Sequence, residues 1–136
     1  MNESKLAGGC LCVAVHYEAT GDVTNLCVCH CATCRRAFGA PMVPWGTFSR
    51  ARFTIVRGRV AEYRSSPDVI HGFCANCGTS ITYCQEGRAD EIDVAVATLD
   101  DAKLLAPEKH IWVRDKLPWV TFGDGLPQFD TVRSRA

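Results

Sequence analysis

The sequence has no excess charge of either sign: fifteen Lys and Arg balance fifteen Asp and Glu. Without a basic stripe there is no electrostatic footprint for a nucleic-acid backbone or an anionic membrane surface, so neither is expected as a partner. Long apolar runs are also missing. No window approaches about eighteen uninterrupted apolar residues, the length that a membrane-crossing helix requires. Residues 1–9 carry no basic segment followed by an apolar stretch, and a soluble, cytoplasmic protein is expected. Internal repeats, low-complexity tracts and linkers are absent as well. One domain over residues 1–136, with its core over residues 6–127 and a single hydrophobic centre, is therefore expected. These absences leave small-molecule chemistry or protein contact, and they fix no oligomeric state.

Cysteine is what the chain has in abundance. There are nine, and in residues 27–34 four thiols and one imidazole fall within eight positions. In a chain with no secretion signal, such a count points to metal binding or thiol chemistry rather than to a disulfide framework. The spacing Cys29-x-Cys31-x-x-Cys34 lets one tight loop turn three thiolates inward toward a tetrahedral thiophilic ion such as zinc, at about 2.3 Å. Three ligands leave one position open, and an open position is the mark of a catalytic rather than a structural zinc. Cys10-x-Cys12 and Cys74-x-x-Cys77 together make a closed four-thiolate site joining distant parts of the chain. If zinc takes seven thiols, it supplies part of the folding free energy, about 10–16 kcal/mol in zinc-finger peptides. Cys27 and Cys84 are left over and read as small buried hydrophobes, although Cys27 would make the second site structural if it closed the tetrahedron. His30 lies between two ligands, so its side chain is expected to point away from them, and His16 reads as a surface residue. Arg35 and Arg36 either stabilise the thiolates or form a solvated face.

A zinc held by three thiolates has a net charge of about −1, which makes it a weak Lewis acid but a good seat for an incoming soft thiol. The chemistry indicated is formation or cleavage of a carbon–sulfur bond. A redox role for Cys74-x-x-Cys77 would need a βαβ context, which the pattern lacks.

Short alternating segments dominate the rest. Strands are predicted over residues 11–17, 23–29, 69–73, 81–84, 92–97 and 110–113, and the 81–84 and 92–97 pair across a polar turn. Pro44 and Gly46 suggest a bent edge strand over residues 43–48, and Arg57-Gly58-Arg59 suggests a hairpin between residues 53–56 and 60–63. One short helix is predicted over residues 32–38, stopped by Gly39 and Pro41, and a helical turn within residues 99–105. The fold class is mainly β.

With both cysteine sets in place, the sequence resembles the glutathione-dependent formaldehyde-activating enzyme (GFA) family, whose domain is shared with the centromere protein V group. The resemblance is carried by Gly8-Gly9-Cys10-Leu11-Cys12, Cys29-His30-Cys31-x-x-Cys34-Arg35, Tyr63-Arg64-Ser65-Ser66-Pro67 and Phe73-Cys74-x-x-Cys77-Gly78-Thr79. It continues through Pro107, His110-Ile111-Trp112-Val113, Pro118-Trp119 and Asp124-Gly125-Leu126-Pro127. It implies an Mss4-like fold of short antiparallel sheets held by zinc knuckles. It also implies two zinc ions per chain, a structural one at Cys10, Cys12, Cys74 and Cys77 and a second at Cys29, Cys31 and Cys34. The implied activity is that of a carbon–sulfur lyase joining formaldehyde to glutathione, with glutathione or another thiol as co-substrate. Arg35, Arg36 and Trp119, with Trp112 beside them, are the candidate walls of the thiol pocket. His71 stands where the family more often carries Arg or Lys. The alternative function on the same scaffold is a zinc-stabilised binding module without catalysis, because a fold does not dictate its use.

Overall fold

Alternation in residues 24–29 puts Cys27 and Cys29 on one face of a strand, and the rest of the architecture is laid against that strand. The computed structural model describes residues 4–132, so the ends of the expected 1–136 span, residues 1–3 and 133–136, lie outside the described residues. The fold is mainly β, 42% strand and 17% helix. Strands β1 (Leu6–Gly9), β2 (His16–Ala19) and β5 (Phe53–Arg57) form a three-stranded antiparallel sheet in the order β1-β2-β5. The larger sheet is built from β3 (Thr24–Cys29), β4 (Val43–Ser49), β6 (Val60–Ser66), β7 (Val69–Cys74), β8 (Ser80–Gln85), β9 (Glu91–Ala95) and β10 (His110–Ile111). Its order is β10-β3-β4-β9-β8-β7-β6, antiparallel throughout except that β10 runs parallel to β3. The helix α1 (Ala32–Phe38) follows β3 directly and ends at Gly39, whose φ of 62° lets its N–H cap the Arg35 carbonyl. Among the described residues, no helix is long and apolar enough to cross a membrane.

Four expectations are corrected. Residues 11–17 are not one strand: residues 10–15 form a knuckle, with Leu11 and Val13 exposed and Val13 at φ 71°. The cause is the Cys10 sulfur, which accepts the Val15 N–H at 3.2 Å while Cys10 N donates to the Val15 carbonyl at 3.1 Å. Backbone groups that a strand would spend on a neighbour are spent on wrapping a thiol. Nor is β4 an edge, since it lies between β3 and β9. Pro44 is accommodated because β9 begins to pair only at Trp45, so there β4 has a partner on one side alone. Gly46 needs no side chain because a Cβ would come within 2.9 Å of Val23 and 3.2 Å of Leu26, which cross over the strand. The predicted hairpin is absent as well: β5 pairs with β2 in the small sheet and β6 pairs with β7 in the large one. Gly58, at φ 77°, lies so close to the Ala14 carbonyl that the turn is fastened to the knuckle and sends the chain from one sheet to the other.

The fourth correction concerns the core. Buried side chains form two clusters rather than one. Phe48, Ile92 and Val94 turn to one face of the large sheet and pack with Tyr17, Val15 and Ala19 of the small-sheet side. Val43, Trp45 and Ala95 turn to the opposite face and enclose Cys27, Cys29 and Cys34.

Candidate metal centres

The two knuckles bring four cysteines from two distant segments to one point. Cys10, Cys12, Cys74 and Cys77 offer sulfurs that all lie within 4.8 Å of one another. The Cys10–Cys12 and Cys12–Cys74 sulfurs are 3.6 and 3.8 Å apart. Tetrahedral ligands at about 2.3 Å from a zinc ion would stand about 3.8 Å apart, so the donor set and spacing fit that ion. Cys74 closes β7, where the N–H groups of Asn76 and Cys77 approach its sulfur at 3.3 and 3.5 Å. Gly78, at φ 83°, returns its N–H to the Cys74 carbonyl at 2.8 Å. The Asn76 amide donates to Cys12 at 3.1 Å, and the Thr79 hydroxyl stands 3.2 Å from Cys77. That hydroxyl, followed by the Thr79 backbone, holds the Cys77 thiol down to about 5. Donors directed at sulfur favour thiolates, the form in which cysteine binds metal.

The second group is assembled from a strand end and a helix start. Cys29 is the last residue of β3, Cys31 caps the N-terminus of α1 and Cys34 lies in its first turn. Their sulfurs also lie within 4.8 Å of one another. Cys34 N donates to the Cys31 sulfur at 3.3 Å. Hydrogen bonds from the Cys29 and Cys34 thiols, with that backbone bond, draw the Cys31 thiol down to about 2. Its side-chain bonds to Cys31 and Cys34, with burial, push Cys29 up. Cys34 is pushed up to about 12: its bond to Cys29 acts downward but is outweighed by Cys31 and by burial. Cys27 does not join the group; it is buried, and burial pushes its thiol up to about 12. Cys84 is partly buried and likewise pushed up by desolvation. Among the described residues, three thiols and no fourth donor make up this group.

Its walls are aromatic. Phe38 stands edge-on to Trp45 at 5.5 Å, Trp45 meets Tyr83 at 5.9 Å, and His71 stands edge-on to Tyr83 at 5.3 Å. Trp45 packs in the same buried cluster as Cys34 and acts to lower its thiol against the upward pulls of Cys31 and burial, and Trp112 packs against the cluster. Register explains the convergence, since Tyr63, His71, Tyr83, Asp93 and Thr47 form one row across β6, β7, β8, β9 and β4 on the Trp45 face. Burial lowers the pKa of His71 against the opposing pull of Cys31, and Ser65 hydrogen-bonds its Nε2 at 2.8 Å. Cysteine spacing alone does not mark Trp45, Tyr83 or His71 as neighbours of the thiols. The signal available was the shared parity of Cys27, Cys29, Val43 and Trp45, which needs the pairing of β3 with β4 to become legible.

Of the expected pocket residues, Arg35 is half-buried, with its Nε shielded from solvent and without a hydrogen-bond partner, while Arg36 is exposed. Trp119 is 70% exposed and belongs to neither buried cluster. His30 does point away from the thiols, fully buried, with its Nε2 3.0 Å from His110. Burial, then the charges of His110 and Lys116, hold His30 down to about 4. His16 is partly buried beside Asp100, at 3.8 Å. A groove of about 420 Å³ is lined by Phe38, Val43, Ala95, Cys77, Thr79 and Ser80 among others; it reaches Cys77 of the four-thiol group and none of Cys29, Cys31 and Cys34.

Two thiol clusters on a scaffold of antiparallel sheets define a cysteine-rich domain equipped to hold metal. The comparison with known families is specific: the model of the glutathione-dependent formaldehyde-activating enzyme matches residues 5–115, and the chain belongs to that family. An uncharacterized lyase of Schizosaccharomyces pombe is 33% identical over 76 residues, which are 56% of this chain and 55% of the relative. The aligned stretch thus spans about half the length of that curated relative. The crystal structure of a Rhodobacter sphaeroides protein shares the fold, with a TM-score of 0.58 at 23% identity over 90% of this chain and 98% of the other.

Proposed function

We propose that the protein is a zinc-dependent carbon–sulfur lyase acting on the thiol adduct of a small electrophile, such as S-hydroxymethylglutathione formed from glutathione and formaldehyde. The observation that carries this reading is the group of three thiols with no fourth donor among the described residues, walled by aromatic side chains. Cys10, Cys12, Cys74 and Cys77 would hold a structural ion, and Cys29, Cys31 and Cys34 a second one. When bound there, zinc would supply a seat for an incoming thiol as its thiolate. The chain's own residues do the rest. Phe38, Trp45 and Tyr83 exclude water from one side of the thiol group, and Trp45 packs with Cys34 in that wall. Arg35, whose shielded Nε lacks a partner, is placed to meet a carboxylate of the thiol substrate, with Arg36 and Trp119 at the periphery. The net reaction adds a thiol across an aldehyde: the sulfur–hydrogen bond breaks, a carbon–sulfur bond forms, and the proton ends on the former carbonyl oxygen. The family to which the chain belongs and the lyase name of its yeast relative support the same reaction class. In this reading the chain works as one domain in the cytoplasm.

Exchange spectroscopy at equilibrium, following formaldehyde and glutathione against the adduct, tests the proposal. Wild type should accelerate the exchange and Cys31→Ser should not. If wild type leaves the uncatalysed rate unchanged with glutathione and with other small thiols, the chain is a zinc-stabilised binding module.

A further inference from the structure

The three-thiol loop is held from behind by a line of polar groups that the proposed reaction does not use. Behind the thiols, the fully buried His30 places Nε2 3.0 Å from Nδ1 of His110, itself buried. His110 Nε2 stands 2.7 Å from Asp124 Oδ2, and the other carboxylate oxygen accepts the Leu126 N–H at 3.0 Å. Phe122 stacks on the His110 ring at 3.8 Å and 16°, and stands 5.0 Å from His30. The backbone repeats the attachment. Val28 and His30 donate to the carbonyls of Lys109 and Ile111 at 2.9 and 3.1 Å, and His110 donates to Pro127 at 2.8 Å. The C-terminal segment is thereby fastened to β10, and β10 to the strand end that carries Cys29.

An ionised carboxylate only accepts hydrogen bonds, so His110 Nε2 must donate to Asp124. In neutral imidazoles the direction then propagates: His110 Nδ1 accepts, His30 Nε2 donates, and His30 Nδ1 is left as a bare acceptor. That atom is one of two side-chain nitrogens, with Arg35 Nε, found buried without a partner among the described residues.

We propose that Asp124, His110 and His30 are positioning residues, a directed hydrogen-bond chain that sets the geometry of the Cys29–Cys31–Cys34 group from the opposite face of the sheet. His30 is flanked by two of the three sulfurs, and a rotation of the backbone there would move both. Fixing the His30 ring fixes their separation. Asp124 lies beyond the residues matched by the family model, so this anchor is supplied by the segment outside it. The inference rests on the reading that the three thiols hold metal, and its test separates the two.

The full chain is loaded with cobalt(II), and the loss of thiolate-to-cobalt absorption is followed after addition of a chelator. Cys31→Ser identifies which phase belongs to the three-thiol group. Asp124→Ala and His110→Phe should speed that phase by about tenfold or more, as lost partners of metal ligands commonly do, and leave the four-thiol phase unchanged. Asp124→Asn, which keeps a carbonyl acceptor, should fall between wild type and Asp124→Ala. Nitrogen NMR of wild type should find His30 and His110 both protonated at Nε2. Wild-type release rates in Asp124→Ala, equal acceleration of both phases, or a His30 protonated at Nδ1 would each overturn the proposal. If wild type takes up a single cobalt, the metal reading of the three-thiol group fails on its own, and the tautomers alone decide the hydrogen-bond chain.

Discussion

At the scale of single residues, the thiols were legible and their neighbours were not. Cys29, Cys31 and Cys34 declare themselves because a metal-binding loop is local: its spacing is its geometry. Trp45, Tyr83 and His71 reach the same place through strand register, which no single segment encodes. Tyr17 shows how burial of one polar atom becomes a pH effect. Its side chain is fully buried with the hydroxyl on Thr98 at 2.7 Å, and desolvation pushes the phenol up to about 12. A raised folded-state pKa keeps its stabilisation below the unfolded value, near 10, and loses it as pH rises toward 12. The loss should be about 2 kcal/mol, to order of magnitude. Urea melts from pH 8 to 11.5 should show this decline in wild type and a shallower one in Tyr17→Phe; parallel slopes would assign the alkaline loss to the thiols instead.

At the scale of elements, prediction succeeded where one segment suffices and failed where two must meet. Helix α1 has the predicted bounds because its cap residue and its stop, Gly39, lie in the same stretch. The strand expected over residues 11–17 failed because a sulfur recruited the backbone, and the hairpin failed because Gly58 answers to Ala14, more than forty residues earlier. The position of β4 inside the sheet makes its own prediction. Gly46→Ala should destabilise the fold by about 1–3 kcal/mol, since the added methyl meets Val23, Leu26 and Val96 at 2.9–3.2 Å. A denaturant midpoint equal to wild type would mean that these side chains move aside freely. On the other face, Phe48→Ala should cost about 3–5 kcal/mol by opening a cavity beneath the small sheet.

At the scale of the whole molecule, the mainly β class followed from the many short alternating segments, but the division into two sheets and two clusters did not. The four-thiol group joins the small sheet to the end of β7, so its metal should be a condition of folding. Cys74→Ser should abolish soluble folding, while Cys31→Ser should keep the wild-type circular dichroism and lower the melting temperature only modestly. Equal loss in the two variants would remove the distinction between a structural and a working site. Metal analysis under reducing conditions should find two zinc ions per chain, and one in Cys31→Ser.

The parallel seam between β10 and β3 has a consequence for biosynthesis. Cys29, Cys31 and Cys34 of the three-thiol loop are made well before β10 and its His110, which back them. Between the synthesis of Cys34 and that of His110, the loop's sulfurs are therefore present without their backing. A nascent chain stalled before β10 would meet oxidants with its nucleophiles uncovered. The protein's exposure to oxidative damage should then be set by the speed of its synthesis as much as by the stability of the finished fold.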